Sequence, residues 1–318
     1  MDMIALANEI MHGRRIKREE DCSYFIDCDL DELCRGADMI REHFVGNRVD
    51  LCAIINGRSG RCPEDCKYCA QSAHYNTQCE EFGFISTEKI MQACKLHEAE
   101  GVHRFSIVTA GRALTGAEFD QAIEAYKQMN EQCDIGLCAS MGFLTKEQLQ
   151  RLYEVGVRRY HHNIETSQRN FSNICTTHTY EDKMKTLNMV KEVGMQVCSG
   201  GIIGMGESWE DRLDMAKTLA EIGVDSIPIN ALMPIKGTPL QDMEPLCEAD
   251  ILRTIACFRY LNPAADIRLA AGRALLQNDG KRAFEAGASA TITGNMLTTV
   301  AKANIRSDKE MLKSMGRE

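Results

Sequence analysis

Residues 179–232 read TYEDKMKTLNMVKEVG (179–194), MQVCSGGIIGMGE (195–207), SWEDRLDMAKTLAEIG (208–223) and VDSIPINAL (224–232). Two amphipathic helices stand here, each opened by Thr/Ser-x-x-Asp at capping-box spacing and each stopped at Glu-x-Gly. Between and after them lie short apolar stretches of strand character. Working outward, the same unit recurs. Residues 145–156 open on Thr145-x-x-Gln148 and stop at Gly156, and Glu285-Ala286-Gly287 repeats the stop. The spacing varies between units, so this is a strand–helix repeat and not a solenoid period. Eight strands are expected, at 50–56, 104–110, 134–140, 159–165, 196–204, 226–232, 266–272 and 289–294. Eight strands alternating with helices predict an α/β fold, a (βα)8 barrel of the TIM type, in preference to a doubly wound open sheet. The first 49 residues read as preceding helices, with Leu30, Leu33, Ala37, Ile40 and Phe44 along one face. No Pro/Gly/Ser-rich linker interrupts the chain. The expectation is one domain over 1–318, with helices at 1–49, the barrel at 50–300 and a short charged tail at 301–318.

Composition narrows the function classes. The 318 residues are 44% apolar and 26% charged, with a net charge of −9, which describes a globular protein with ample core. No run of 18 uncharged apolar residues predicts a membrane span. The first twenty residues carry charges throughout, so no secretory signal is read and a cytoplasmic protein is expected. An acidic chain without a basic stripe argues against nucleic acid as a partner. Cysteine is the outlier, at 15 residues. In a reducing compartment such thiols are buried small hydrophobes or metal ligands.

In a barrel of this kind the chemistry sits at the C-terminal ends of the strands. Just past the first strand stands CPEDCKYC (62–69), so Cys62, Cys66 and Cys69 are spaced Cys-x3-Cys-x2-Cys. Three thiolates on one loop suit three corners of a [4Fe–4S] cluster and leave the fourth iron open. A structural zinc would want a fourth ligand, for which His74 is the local candidate.

That motif after the first strand of a βα barrel resembles the radical S-adenosylmethionine enzymes. The strings HNIETS (162–167), CSGGIIGMGE (198–207), PIN (228–230), KGTPL (236–240), IRLAAGR (267–273) and LTT (297–299), in that order, resemble the biotin synthase family within it. The resemblance implies a [4Fe–4S] cluster on Cys62, Cys66 and Cys69 that cleaves S-adenosylmethionine to a 5′-deoxyadenosyl radical. It implies dethiobiotin as the substrate, sulfur donated by an auxiliary Fe–S cluster, a flavodoxin- or ferredoxin-type electron donor, and a homodimer. It also gives site residues. Tyr68, Glu165, Gly201 and Ile202 flank S-adenosylmethionine. Asn163 and Asn230 meet the ureido ring of dethiobiotin, and Thr298 and Thr299 meet its carboxylate tail. Asn163 and Glu165, two apart on the fourth strand, share a face. His161 stands where the family commonly has Asn.

The family's auxiliary cluster is held by three Cys and an Arg. Cys138, Cys198 and Arg268 match three of these, but the remaining Cys, on the second strand, aligns with Ser106. Barrel layers draw side chains from alternate strands. Cys138, Cys198 and Arg268 stand on strands three, five and seven, so the missing member is expected from strand one, which offers Cys52. The layer then reads Cys52, Cys138, Cys198, Arg268, around a two-iron or a four-iron cluster. Cys22, Cys28 and Cys34 form an evenly spaced set, open to a metal or ligand role as well as to packing, of which Cys34 reads as a helix-face residue; Cys79, Cys94, Cys133, Cys175, Cys247 and Cys257 have no motif spacing and are read as packing residues. Two competitors are a radical mutase or hydrogenase-maturation-like enzyme without sulfur insertion, and a non-catalytic metal-binding barrel.

Overall fold

The computed structural model describes residues 1–294 and 305–317. Its strands are β1 (Asp50–Arg58), β2 (Arg104–Thr109), β3 (Gly136–Ser140), β4 (Arg159–His161), β5 (Gln196–Cys198), β6 (Gly201–Ile203), β7 (Ser226–Ala231), β8 (Asp266–Leu269) and β9 (Ala290–Ile292). All pairings are parallel. β1 pairs with β2 and β9, the ladder runs through β2, β3 and β4 to β5 on one side and through β9 and β8 to β7 on the other, and β5–β7 pairing closes the ring. The expected barrel is what the chain forms.

The capping boxes predicted from sequence are all made. Thr145 with Gln148, Thr179 with Asp182 and Ser208 with Asp211 bond reciprocally at the starts of helices Lys146–Glu154, Tyr180–Glu192 and Trp209–Ile222. Gly223 ends the last of these in the left-handed region, at φ 69°, where a side chain would be strained.

Three expectations are corrected. The fifth strand is one barrel position but two segments, β5 and β6. At the break, Gly200 N–H bonds the Asn163 side chain (3.0 Å) and not a neighbouring strand. The regular fourth strand ends at His161, short of 165; Glu165, at φ 70°, meets the sheet again only as a single parallel bridge to Gly201. The segment 301–318 is more than a charged tail. Its helix Ile305–Ser314 buries Ile305 and Leu312, and buried Asp308 accepts from Arg273 (2.5 Å) and Thr293 (2.6 Å).

The N-terminal helices are as expected, with Leu33, Ala37 and Ile40 fully buried. Helix Leu30–Val45 lies so close to helix Glu248–Leu261 that a Cβ on Gly36 would fall 1.8 Å from the Tyr260 hydroxyl. One contiguous apolar core runs from these helices into the barrel wall. It fixes the barrel as a rigid mount for the loops at its C-terminal mouth.

Candidate active site

The loop after β1 is folded by its own acids. Glu64, buried, accepts from Arg112 (3.1 Å), the Thr177 hydroxyl (2.6 Å) and His178 Nδ1 (2.5 Å). Asp65 accepts the backbone N–H groups of Thr176 (2.8 Å) and Thr177 (3.2 Å). Partial burial would raise the Asp65 carboxyl, but these donors hold it well below the usual carboxylate range. Residues 62–69 are thereby pinned to the segment 175–178 across the barrel mouth. Within the loop, Cys69 N–H bonds Cys66 C=O (3.0 Å), and Cys62 pairs with Ser72.

The three motif thiols stand on this compact turn, and all 15 cysteines are free of disulfides. His74 bonds Pro63 C=O (2.9 Å) and does not join them, so the zinc arrangement around it does not form. Cys175, read as a packing residue, instead reaches Cys66, with their sulfurs 3.8 Å apart. Hydrogen bonding between the two pushes Cys66 up and draws Cys175 down, and His178 Nδ1 lies 3.3 Å from the latter. No spacing rule could have found this pair, since 109 residues separate them.

Next to the loop, Glu165 and Gly201 are in backbone contact. A Cβ on Gly201 would sit 2.3 Å from Glu165 C=O and 2.5 Å from Met215 Sδ. Asn163 Nδ2 donates to Glu165 (3.3 Å), which bears out their shared face even though the strand has ended. Lys183, almost wholly buried, lies 3.8 Å from Glu165 and was not singled out from sequence. Asn230 is held by backbone alone: it donates to Gly201 C=O (3.0 Å) and accepts from Ala271 N–H (3.1 Å).

Two cavities meet at Asn230 and Ala271. One, of about 220 Å³, is lined by Tyr68, Cys69 and Ile202. The other, of about 190 Å³, is lined by Cys52, Cys138, Cys198 and Arg268 together with Ser106, His161 and Asn163. The three residues matched to the family's cluster and Cys52, added by strand alternation, thus face one space, and Ser106 stands at its wall. Thr298 and Thr299 lie outside the described residues.

The floor of the second cavity carries charge that the sequence reading missed. Asp50, 1% exposed, accepts from Arg268 (2.6 Å), Arg104 (3.0 Å) and Arg159 (3.1 Å). Burial would raise its carboxyl, but the guanidinium groups of Arg268, Arg104 and Arg159 hold it far below the usual range. Asp266 lies 3.7 Å from Arg159. Arg268, Arg104 and Arg159 share Asp50 and Asp266, and Arg48 also reaches Asp266 (3.1 Å), so the floor is net positive, with part of that charge solvated at the partly exposed Arg104. Of the three thiols only Cys138 is drawn down, by a hydrogen bond from Cys52 and the pull of Arg159, Arg104 and Arg268; Cys52 is pushed up by its bond to Cys138 and by burial, and burial pushes Cys198 up. Three soft sulfur donors in an anion-seeking pocket fit an Fe–S cluster. Three thiols beside Tyr68 and Glu165 at the mouth fit the other.

Comparisons with known proteins agree along the whole chain. Residues 58–231 match the Radical SAM superfamily, and residues 228–318 match the Biotin and Thiamin Synthesis associated domain. The chain is 58% identical to biotin synthase of Alkaliphilus metalliredigens and 56% identical to that of Clostridium beijerinckii, covering 99% of each chain in both cases. Biotin synthase of Akkermansia muciniphila is 48% identical, over 99% of this chain and 97% of that one. Among solved structures, methylornithine synthase superposes with a TM-score of 0.84 at 18% identity, over 98% of this chain and 96% of its own. A maturase of the [FeFe]-hydrogenase superposes at 0.83 and 17% identity, over 99% and 74%. These last two share the fold.

Proposed function

This chain belongs to the biotin synthase family of radical S-adenosylmethionine enzymes, and from that membership we propose how its own residues carry out the conversion of dethiobiotin to biotin. Cys62, Cys66 and Cys69 hold the four-iron cluster. Cys52, Cys138 and Cys198 hold the auxiliary cluster, with Arg268 at their side. When bound, the first cluster with S-adenosylmethionine supplies a hydrogen-abstracting radical and the second supplies sulfur.

The protein's part is placement. Glu165, as carboxylate, accepts the ribose hydroxyls of S-adenosylmethionine, and Tyr68 and Ile202 wall the adenosine cavity, with Gly201 allowing the backbone to approach. Asn163 and Asn230 take opposite sides of the ureido ring, at the seam between the two cavities. The substrate then lies with radical source on one side and sulfur source on the other, with water excluded by the narrow walls. Thr298 and Thr299 are assigned the carboxylate tail from the family motif. A flavodoxin- or ferredoxin-type donor, a homodimer and a cytoplasmic setting complete the reading; no helix among the described residues is long and apolar enough to cross a membrane.

The observation that carries the proposal is the shared cavity of Cys52, Cys138, Cys198 and Arg268, opening on Asn163 and Asn230. Methylornithine synthase and a maturase of the [FeFe]-hydrogenase have the same fold, but full-length identity lies with the biotin synthases. The test is anaerobic reconstitution of wild type and Cys52→Ala, with iron and sulfide analysis, Mössbauer spectra and assays of biotin and 5′-deoxyadenosine. Wild type is expected to hold two clusters and form biotin. The variant is expected to keep the first cluster, cleave S-adenosylmethionine, and lose the second cluster with biotin formation. A variant with both clusters intact would overturn the role of Cys52.

A further inference from the structure

A continuous hydrogen-bonded row links the two ends of the site. Ser140 Oγ lies 3.0 Å from His161 Nδ1, His161 Nε2 lies 3.0 Å from Asn163 Oδ1, and Asn163 Nδ2 lies 3.3 Å from Glu165 Oε2. Its first two members rise from β3 and β4, and Ser140, His161 and Asn163 all line the cavity that holds Cys138 and Cys198. His161 is also the register partner of Cys198.

The direction of each bond follows from one backbone group. Gly200 N–H points at Asn163 Oδ1 (3.0 Å), and a backbone N–H only donates. The atom it meets is therefore the amide oxygen, which fixes the flip of the Asn163 side chain. His161 Nε2 faces that same oxygen, so Nε2 carries the hydrogen. In the neutral ring Nδ1 is then the acceptor, and the Ser140 hydroxyl donates to it. The Asn163 amide nitrogen is left with one hydrogen toward Glu165 and one for the cavity.

We infer that His161 is a positioning residue for substrate: its Nε2–H, set by Ser140, locks the Asn163 amide so that an N–H donor is presented to the ureido oxygen of dethiobiotin. This rests on the assignment of Asn163 to the ureido ring. Without the imidazole, the Asn163 amide keeps Gly200 N–H on Oδ1 and the long bond from Nδ2 to Glu165 (3.3 Å) but loses its side-chain donor, so its orientation is held less tightly. An orienting donor on one face and a backbone donor on the other are what make the amide rigid. Rigidity of this kind lowers the ordering cost of binding.

The test measures equilibrium binding of dethiobiotin to the anaerobic two-cluster enzyme with S-adenosylmethionine bound, alongside KM and kcat. His161→Phe keeps the ring volume and removes both bonds. It is expected to raise the dissociation constant and KM about tenfold, the worth of one lost hydrogen bond, with kcat held within about twofold. His161→Gln carries a terminal amide that donates to Asn163 and is expected to return both constants to within about threefold of wild type. Ser140→Ala, a milder change, is expected to raise them about threefold. Iron and sulfide content should stay at wild-type values in all three. Unchanged binding in His161→Phe, or a Gln variant as weak as the Phe variant, overturns the inference. Loss of auxiliary-cluster iron in either variant also overturns it, since His161 would then act on the cluster. If Asn163→Ala leaves dethiobiotin binding unchanged, the ureido assignment itself has failed.

Discussion

Replacing Asp50 with Asn tests whether the barrel floor is an anion-seeking device. The side chain keeps its volume and one acceptor oxygen but loses its charge beneath Arg268, Arg104 and Arg159. The excess of positive charge on the floor then rises by one. Breaking a buried ion pair from one side costs about 3–5 kcal/mol, because the partner charges stay buried. At the lower figure the cluster-free chain should melt roughly 4–5 °C below wild type at pH 7, on the unfolding entropy expected for 318 residues. The sign with pH is fixed by the depressed carboxyl. Its stabilisation is complete above the ordinary aspartate value of about 3.9 and is lost as pH falls toward the lower folded value. The contribution of Asp50 itself should therefore hold steady between pH 5 and 6, below the range where the Cys138 thiol, drawn down to about 7, takes charge, and narrow only in strong acid. Scanning fluorimetry across pH reads both quantities. Chains melting within about 2 °C of each other at pH 7, or a gap widening in acid, would refute the account of the floor.

Two further outcomes follow from the geometry. Gly201→Ala places a Cβ 2.3 Å from Glu165 C=O and 2.5 Å from Met215 Sδ; overpacking of this kind costs about 1–3 kcal/mol, and Glu165 should move enough to raise KM for S-adenosylmethionine, so an unchanged melting temperature and KM would count against the contact. Treatment of the cluster-free chain with diamide should join Cys66 to Cys175, whose sulfurs are 3.8 Å apart, and peptide mapping that found Cys66 joined to Cys62 or Cys69 would contradict it.

Much of the site was legible because strand alternation is strict. A period of two sends Cys52, Cys138, Cys198 and Arg268 inward, and the alternate-strand rule for barrel layers puts the four in one space even though Ser106 replaces the family thiol. Asn163 and Glu165 do meet, but through the bond between them, since the strand whose alternation was the ground for expecting it ends at His161. Asp50, Arg104 and Arg159 were not legible. Each reads locally as a charged residue at the start of a strand, where an exposed position is the ordinary expectation. Pairing of the first two strands sets Arg104 beside Asp50, and the curl of the barrel brings Arg159 from the fourth to within 3.1 Å of the same carboxylate. Lys183 and Cys175 escaped likewise, since the helix and loop that carry them are folded over the mouth by Glu64 and Asp65.

By itself the sequence determined the repeat, the capping of its helices, the inward faces of its strands and the thiol spacing of the mouth loop, because these depend on neighbours within a few residues. The tertiary structure decided which way the Asn163 amide points, where the fifth strand breaks, and which charges share the floor. Those depend on donors such as Gly200 N–H and carboxylates such as Asp50 that the chain brings together from distant positions, in a space too dry to leave any of them unpaired.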